Sequence, residues 1–291
     1  ARKKSDFKIF LPFFEELIKL RIEEAKQISD QYSLWETLAQ PFEPELTLKW
    51  LNKMFQPLKE NIPVLIRGIN QSKKNHWDLN PESQQNLCSK LLDEFGRDKD
   101  LVIVGKSPHP FSITLGPNDY RITTRIVEGE PLSSFLATAH EWGHSIYEQG
   151  LPSQSHQWFA WPLGQATSMG IHESQSLFWE NRIVKSKSFS KRFFKKFVSE
   201  GCTLKNYLEL WKSINHLEAG LNRVEADELT YGLHILIRTE LEIDLIEGGL
   251  AAEDIPEEWN KRYHELLGIK PSNDSEGCLQ DVHWSEGAFG Y

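Results

Sequence analysis

A helix that must carry two imidazoles on one face is the strongest constraint in this sequence. His140-Glu-Trp-Gly-His144 lies inside a stretch, 133–149, whose apolar residues Phe135, Leu136, Ala139, Gly143 and Ile146 recur at helical spacing. Residues four apart on a helix share a face, so both rings can reach one ion. The stretch opens after Pro131, where Ser133 or Ser134 offers a cap, and Gly150 and Pro152 close it. Glu141 sits beside the pair, placed to touch a water at the ion without ligating it. Zinc lowers the pKa of water from about 15.7 toward ~7, and a carboxylate can then take the proton. His140 and His144 are therefore expected to hold zinc, with Co2+ able to take its place, and Glu141 to act as the general base of peptide-bond hydrolysis.

A catalytic zinc site needs a third protein ligand and keeps a fourth position open. The extended metzincin pattern requires glycine three residues after the second histidine, where this chain has Tyr147. The remaining arrangement, the gluzincin one, takes a glutamate from a following helix. Ile171-His-Glu-Ser-Gln-Ser-Leu-Phe-Trp-Glu-Asn offers Glu173 and, two turns on and nearly on the same face, Glu180. Spacing alone leaves both open.

Most of the remaining chain also reads as helix: 7–29, 46–58, 84–95, 165–184, 188–199, 204–217, 221–247 and 256–267. The exception is 101–127. There Leu101-Val-Ile-Val, Phe111-Ser-Ile-Thr-Leu and Tyr120-Arg-Ile-Thr-Thr-Arg-Ile-Val alternate with period two between Gly and Pro breaks, which predicts a small antiparallel sheet. The tail, 270–291, reads as loop. The fold class expected is mainly α, a helix-rich gluzincin-type metallopeptidase with a small sheet beside the H-E-x-x-H helix. With 291 residues and no low-complexity linker, a single domain over 1–291 is expected, with a helical region 1–100 and a catalytic region 101–291.

Composition narrows the partners. A net charge of −9 argues against nucleic acid, whose binding rests on basic patches. The one basic run, 185–196, is interrupted by Phe189, Phe193 and Phe194 and reads as the solvated face of an amphipathic helix. No window is apolar over the roughly 18 residues that a membrane span needs. Cys88, Cys202 and Cys278 are odd in number with no Cys-x-x-Cys spacing, which fits free thiols in a reducing, cytoplasmic setting.

Six motifs in order resemble the M32 family of metallocarboxypeptidases: His109-Pro-Phe111, Asp119-Tyr-Arg-Ile-Thr123, His140-Glu-Trp-Gly-His144, His172-Glu-Ser-Gln175, Arg223-Val-Glu-Ala-Asp227 and Gly277-Cys-Leu-Gln-Asp-Val-His-Trp284. Together they cover 109–291; the first hundred residues carry no motif of this kind. The resemblance implies a deep substrate groove, metal-dependent removal of C-terminal amino acids from peptides with a free carboxylate, and a homodimer. It makes Glu173 the third ligand. It assigns the substrate's terminal carboxylate to Arg223, in keeping with the paired hydrogen bonds a guanidinium gives a carboxylate; the plainer reading is an (i, i+4) salt bridge from Arg223 to Asp227 on a helix. His283 and Tyr291 become the donors to the developing oxyanion, Asp119 and Arg121 groove residues closing its far end, and His109, grouped with these substrate-binding residues, a support for the metal-side chemistry or for the local fold alone. Asn222 departs from the aliphatic residue expected before the arginine. Relatives of this kind continue past both ends, so the chain is expected to be a fragment. Two rival readings share much of this: an oligopeptidase that cuts internally and has no need of Arg223, and a catalytically inactive helical binding protein.

Overall fold

The structure, a computed structural model, describes residues 1–69, 77–107 and 109–291. Contacts divide the chain into two compact units. One joins Ala1–Gln71 to Leu217–Tyr291; the other is the continuous stretch Ser72–His216.

The first unit is helical: α1 (Leu11–Ile28), α2 (Leu34–Ala39), α3 (Leu48–Gly68), α9 (Tyr231–Ile246) and α10 (Ile255–Leu267) surround a core that includes Phe14, Trp35, Leu236, Leu241, Trp259 and Tyr263. Helix α3 runs ten residues beyond its expected end. Pro57 and Pro63 lie inside it, and each removes one intrahelical hydrogen bond. Leu51, Phe55, Leu58, Ile62 and Ile66 nevertheless keep one face on the core, and that burial outweighs the loss. Helix α9, in contrast, starts ten residues later than the periodicity predicts. Asp227 Oδ1 accepts the backbone N–H groups of Leu229 (2.8 Å) and Thr230 (3.0 Å), so the chain turns there before the helix begins. The tail is loop and short 3-10 turns, yet Trp284 and Phe289 are fully buried in this core.

A buried polar chain runs through the same unit. Glu242, at 0% exposure, accepts from Trp284 Nε1 (2.9 Å) and Gly290 N (3.1 Å) and pairs with Arg238 (2.6 Å). Arg238 reaches Asp281 (2.5 Å) and donates to the Tyr291 carbonyl (2.7 Å). Asp281 in turn accepts the backbone N–H (2.9 Å) and ring Nδ1–H (3.1 Å) of His283. Burial pushes the Glu242 carboxyl up, to about 7, with the Arg238 charge acting the other way. At Asp281 burial also acts upward, but the His283 hydrogen bond and the Arg238 charge outweigh it and hold the carboxyl well below its ordinary value.

The second unit holds α4 (Pro81–Glu94), α5 (Ser133–Gln149), α6 (Met169–Leu177), α7 (Lys187–Ser199), α8 (Tyr207–Ile214) and three strands, β1 (Val102–Lys106), β2 (Ser112–Gly116) and β3 (Asp119–Thr124). The small sheet is present, with order β1-β3-β2. It is mixed rather than wholly antiparallel: β2 and β3 form a hairpin through a turn with Asn118 at φ 62°, but β1 lies parallel to β3 on the other side. Alternation in sequence reports the faces of a strand, not the direction of its neighbour. Tyr120, Ile122 and Trp142 share one buried cluster, and Thr138 Oγ1 meets Thr124 Oγ1 at 3.2 Å, tying α5 to the sheet.

Neither Ser133 nor Ser134 caps α5. Its first turn carries no side-chain cap, because Ser133 is already inside the helix and the buried Ser134 hydroxyl bonds Gln84 at 3.1 Å. Helix α5 packs closely on α6. A Cβ added at Gly143 would lie 2.4 Å from Ser176 Cα and 2.6 Å from the Gln175 carbonyl oxygen, so only glycine allows this approach.

Two outcomes are expected. Gly143→Ala should destabilise the protein by about 3 kcal/mol in urea denaturation, since the clash is with backbone that cannot rotate away. Asp281→Asn should cost about 3 kcal/mol at pH 6, where removing one partner leaves the Arg238 charge under-compensated. Because the folded-state pKa of Asp281 is depressed, its stabilisation is complete above the ordinary value of 3.8 and is lost as pH falls below it. The difference between wild type and Asp281→Asn should therefore shrink on going from pH 6 to pH 3.

Candidate metal centre

Helix α5 presents His140 and His144 on one face, and α6, closed against it at Gly143, brings Glu173 to both. Glu173 Oε2 lies 3.6 Å from His140 Nε2 and 3.3 Å from His144 Nε2, and it accepts the Ser176 hydroxyl at 3.2 Å. Among the described residues these three side chains form the one group whose ligand atoms could hold a metal ion. Ligands about 2.1 Å from a tetrahedral zinc are spaced roughly 3.4 Å apart, so the two measured edges are those the ion would need. The residues fit the group.

Glu180, the other glutamate the spacing allowed, is also here, but on the opposite side of the ring. Its Oε2 meets His140 Nδ1 at 3.0 Å. It lies in a π-helical turn, Phe178–Val184, that follows α6 directly. Sequence periodicity could not separate the two glutamates because, two turns apart, both face His140. Behind Glu180 stands Lys185, a buried ammonium 3.2 Å from Glu180 Oε1. On the other ligand, His144 Nδ1 lies 2.6 Å from His172 Nδ1, and His172 Nε2 lies 2.7 Å from Glu148 Oε1. Lys185, His172 and Glu148 were not among the expected site residues. Glu148 had a signal, since it stands four residues after His144 on the same helix face; Lys185 had none.

Electrostatics follow the geometry. Burial alone would depress His140, but the hydrogen bonds to Glu173 and Glu180 outweigh it and push the imidazole up to about 10. Burial pushes His144 down. Glu173 is held well below the usual carboxylate range by the two histidines, against the upward push of burial. Glu141 is 7% exposed, and burial pushes its carboxyl up to about 7.

The remaining expected residues fall in two places. Asp119 and Arg121 lie on the exposed face of β3, the middle strand, and pair with each other through two hydrogen bonds of 2.9 and 3.1 Å. Arg121 stands in register between Ile103 and Ile113, both exposed. His109 is exposed just before β2. In the first unit, Arg223 lies in a single 3-10 turn, Arg223–Glu225, and not on a helix. The (i, i+4) salt bridge to Asp227 is thus ruled out as a helix-surface pair; Asp227 is occupied with the N–H groups of Glu218, Leu229 and Thr230. The Arg223 charge is felt at His234, Tyr263 and Asp281. His283, held by Asp281, stacks on the Tyr291 ring at 5.1 Å. Arg223, His283 and Tyr291 thus share one electrostatic neighbourhood.

Comparison with known proteins agrees with this geometry. The family profile described as carboxypeptidase Taq (M32) metallopeptidase matches residues 1–291. The chain is 38% identical to thermostable carboxypeptidase 1 of Thermus thermophilus and 38% identical to carboxypeptidase 1 of Bacillus subtilis, in each case over 100% of this chain. It spans about 60% of the length of these curated relatives. Among solved structures it resembles Trypanosoma cruzi metallocarboxypeptidase 1 (TM-score 0.89, 35% identity) and Pyrococcus furiosus carboxypeptidase (TM-score 0.91, 31% identity), covering 100% of this chain and 60% of each of theirs. The chain belongs to the M32 family of metallopeptidases.

Proposed function

We propose that this chain carries the metal centre and catalytic residues of a carboxypeptidase that removes C-terminal residues from peptides. The observation that carries the reading is the His140, His144 and Glu173 cluster, whose donor spacing suits one tetrahedral zinc ion. The ion, zinc or cobalt in its place, supplies Lewis acidity to the scissile carbonyl and to water. Glu141 takes the proton from the attacking water and passes it to the leaving amine nitrogen. Its buried carboxyl, pushed to about 7, suits both directions of that transfer. His283 and Tyr291 donate to the oxyanion that forms on the carbonyl oxygen. The guanidinium of Arg223, freed from the helix pairing that would have occupied it, takes the substrate's terminal carboxylate. Asp119, Arg121 and His109 border the groove for the peptide. The family resemblance supports a homodimer, and three buried thiols without a disulfide fit a reducing, cytoplasmic setting.

The Glu141→Gln variant should bind metal as the wild type does and lose hydrolysis by about 10³-fold or more; full activity would overturn the general-base assignment. One peptide offered as free acid and as C-terminal amide separates the rival readings. Single residues lost from the acid alone, read by mass spectrometry, are the expected result. Internal cuts in both forms would mean an oligopeptidase, and metal binding with no cleavage would mean a binding protein. Arg223→Ala should lower kcat/KM for the free acid by about 100-fold, the worth of a charge-assisted hydrogen-bonded pair; an unchanged rate would remove Arg223 from substrate binding.

A further inference from the structure

The two histidines of the cluster are held from behind by different devices. His140 gives its Nδ1 directly to a carboxylate, Glu180. His144 meets a second imidazole instead, His172, and only beyond that a carboxylate, Glu148. Glu148 belongs to none of the motifs that identify the family, and neither it nor His172 has a part in the reaction as proposed above. Both ends of the chain Glu148–His172–His144 come from α5, four residues apart, and the middle comes from α6. All three side chains are largely buried, and the Tyr147 ring packs edge-on against His172 at 5.2 Å.

The contacts limit where the protons can sit. Two Nδ1 atoms 2.6 Å apart must share one hydrogen. A carboxylate only accepts, so the 2.7 Å contact with Glu148 places a hydrogen on His172 Nε2. With His172 Nε2–H given to Glu148, His172 Nδ1 can take the shared hydrogen bond as acceptor, from His144 Nδ1–H. His144 is left with its lone pair on Nε2, the atom that faces Glu173 at 3.3 Å. The opposite order of protons would point an N–H into the cluster and spoil His144 as a ligand. The carboxylate at the far end selects the working order.

Resting on the reading of His144 as a metal ligand, we propose that His172 and Glu148 are positioning residues. They act through His144, locking its tautomer and ring plane and setting its strength as a donor. Outer partners of metal-bound histidines have this effect in general; here the partner is an imidazole whose far nitrogen is held by a carboxylate.

The test uses the metal-free protein reloaded with Co2+, reading affinity by chelator competition and the ligand geometry by the visible cobalt absorption band. An asparagine carbonyl oxygen can stand near the place of His172 Nδ1, and a glutamine amide nitrogen near that of Nε2. His172→Asn keeps an acceptor for His144, so its affinity and band should stay near wild type. His172→Gln and Glu148→Leu lose the acceptor or its orienting carboxylate and should weaken Co2+ binding by about 10- to 100-fold and shift the band. A role confined to packing predicts no such order, since it does not distinguish an acceptor at one ring position from a donor at the other. Wild-type affinity and spectrum in both His172→Gln and Glu148→Leu would overturn the proposal, as would equal losses in His172→Asn and His172→Gln. His144→Ala, measured in parallel, separates the two levels. If it leaves Co2+ binding intact, the ligand assignment itself fails; if it abolishes binding while the outer variants do not, only the positioning role fails. Far-UV circular dichroism of each metal-free variant identifies any that does not fold, and the Asn against Gln comparison then decides the question without it.

Discussion

The close approach of α5 and α6 at Gly143 is the constraint on which the centre depends. The two histidines could share a face of α5 in isolation, but a third donor at 3.3 and 3.6 Å from them requires a second helix almost in backbone contact. A glycine one residue before His144 permits this, since any Cβ there would meet the backbone at Gln175 and Ser176. The same approach brings Ser176 to Glu173 and His172 to His144, so one missing methyl group sets both the ligand cluster and its outer partners. The sheet plays the complementary part. Tyr120, Ile122 and Thr124 support the opposite side of α5, so the helix has little freedom to draw back from α6.

Around the cluster, carboxylates and imidazoles alternate in a way that settles charge. Glu173 and Glu180 flank His140, Lys185 balances Glu180, and His172 separates Glu148 from His144. Buried charges of this density are stable only when each has its partner and its hydrogen bonds. Glu141 is the exception. It is buried beside this network, no partner among the described residues claims its carboxyl, and burial raises it toward neutrality. A group left in that condition is suited to moving a proton rather than to holding a structure.

Much of this was legible in the sequence. The H-E-x-x-H helix and its ends could be read because helical periodicity is local; the preference for Glu173 over Glu180 came only with the family resemblance. What escaped was set by tertiary context. The helix expected over 46–58 continues to Gly68 past Pro57 and Pro63, because an apolar face running through Ile62 and Ile66 carries it on. Asp227 stopped the backward extension of α9 by hydrogen bonds to Leu229 and Thr230 that periodicity does not register, and this left Arg223 outside any helix. The short helix α2 had a signal that was there to read, the Ser33 and Glu36 capping box. The parallel pairing of β1 and the roles of Lys185 and His172 depend on which elements become neighbours, and a single sequence does not print that.

The first unit is made of two segments separated by the whole of the second. Phe14 on α1 packs against Trp284 and Phe289, some 270 positions later. Closing a loop of that length is entropically costly before any contact rewards it. During synthesis the apolar face of α1 must therefore wait, uncovered, while the continuous metal-binding unit emerges and can fold by itself. The order of assembly is thereby built into the connectivity: the ligand cluster can form from a contiguous stretch, whereas the core of the first unit is completed only when the segment around Trp284 and Phe289 reaches α1. Until that segment arrives, the apolar face of α1 that it covers is open to aggregation.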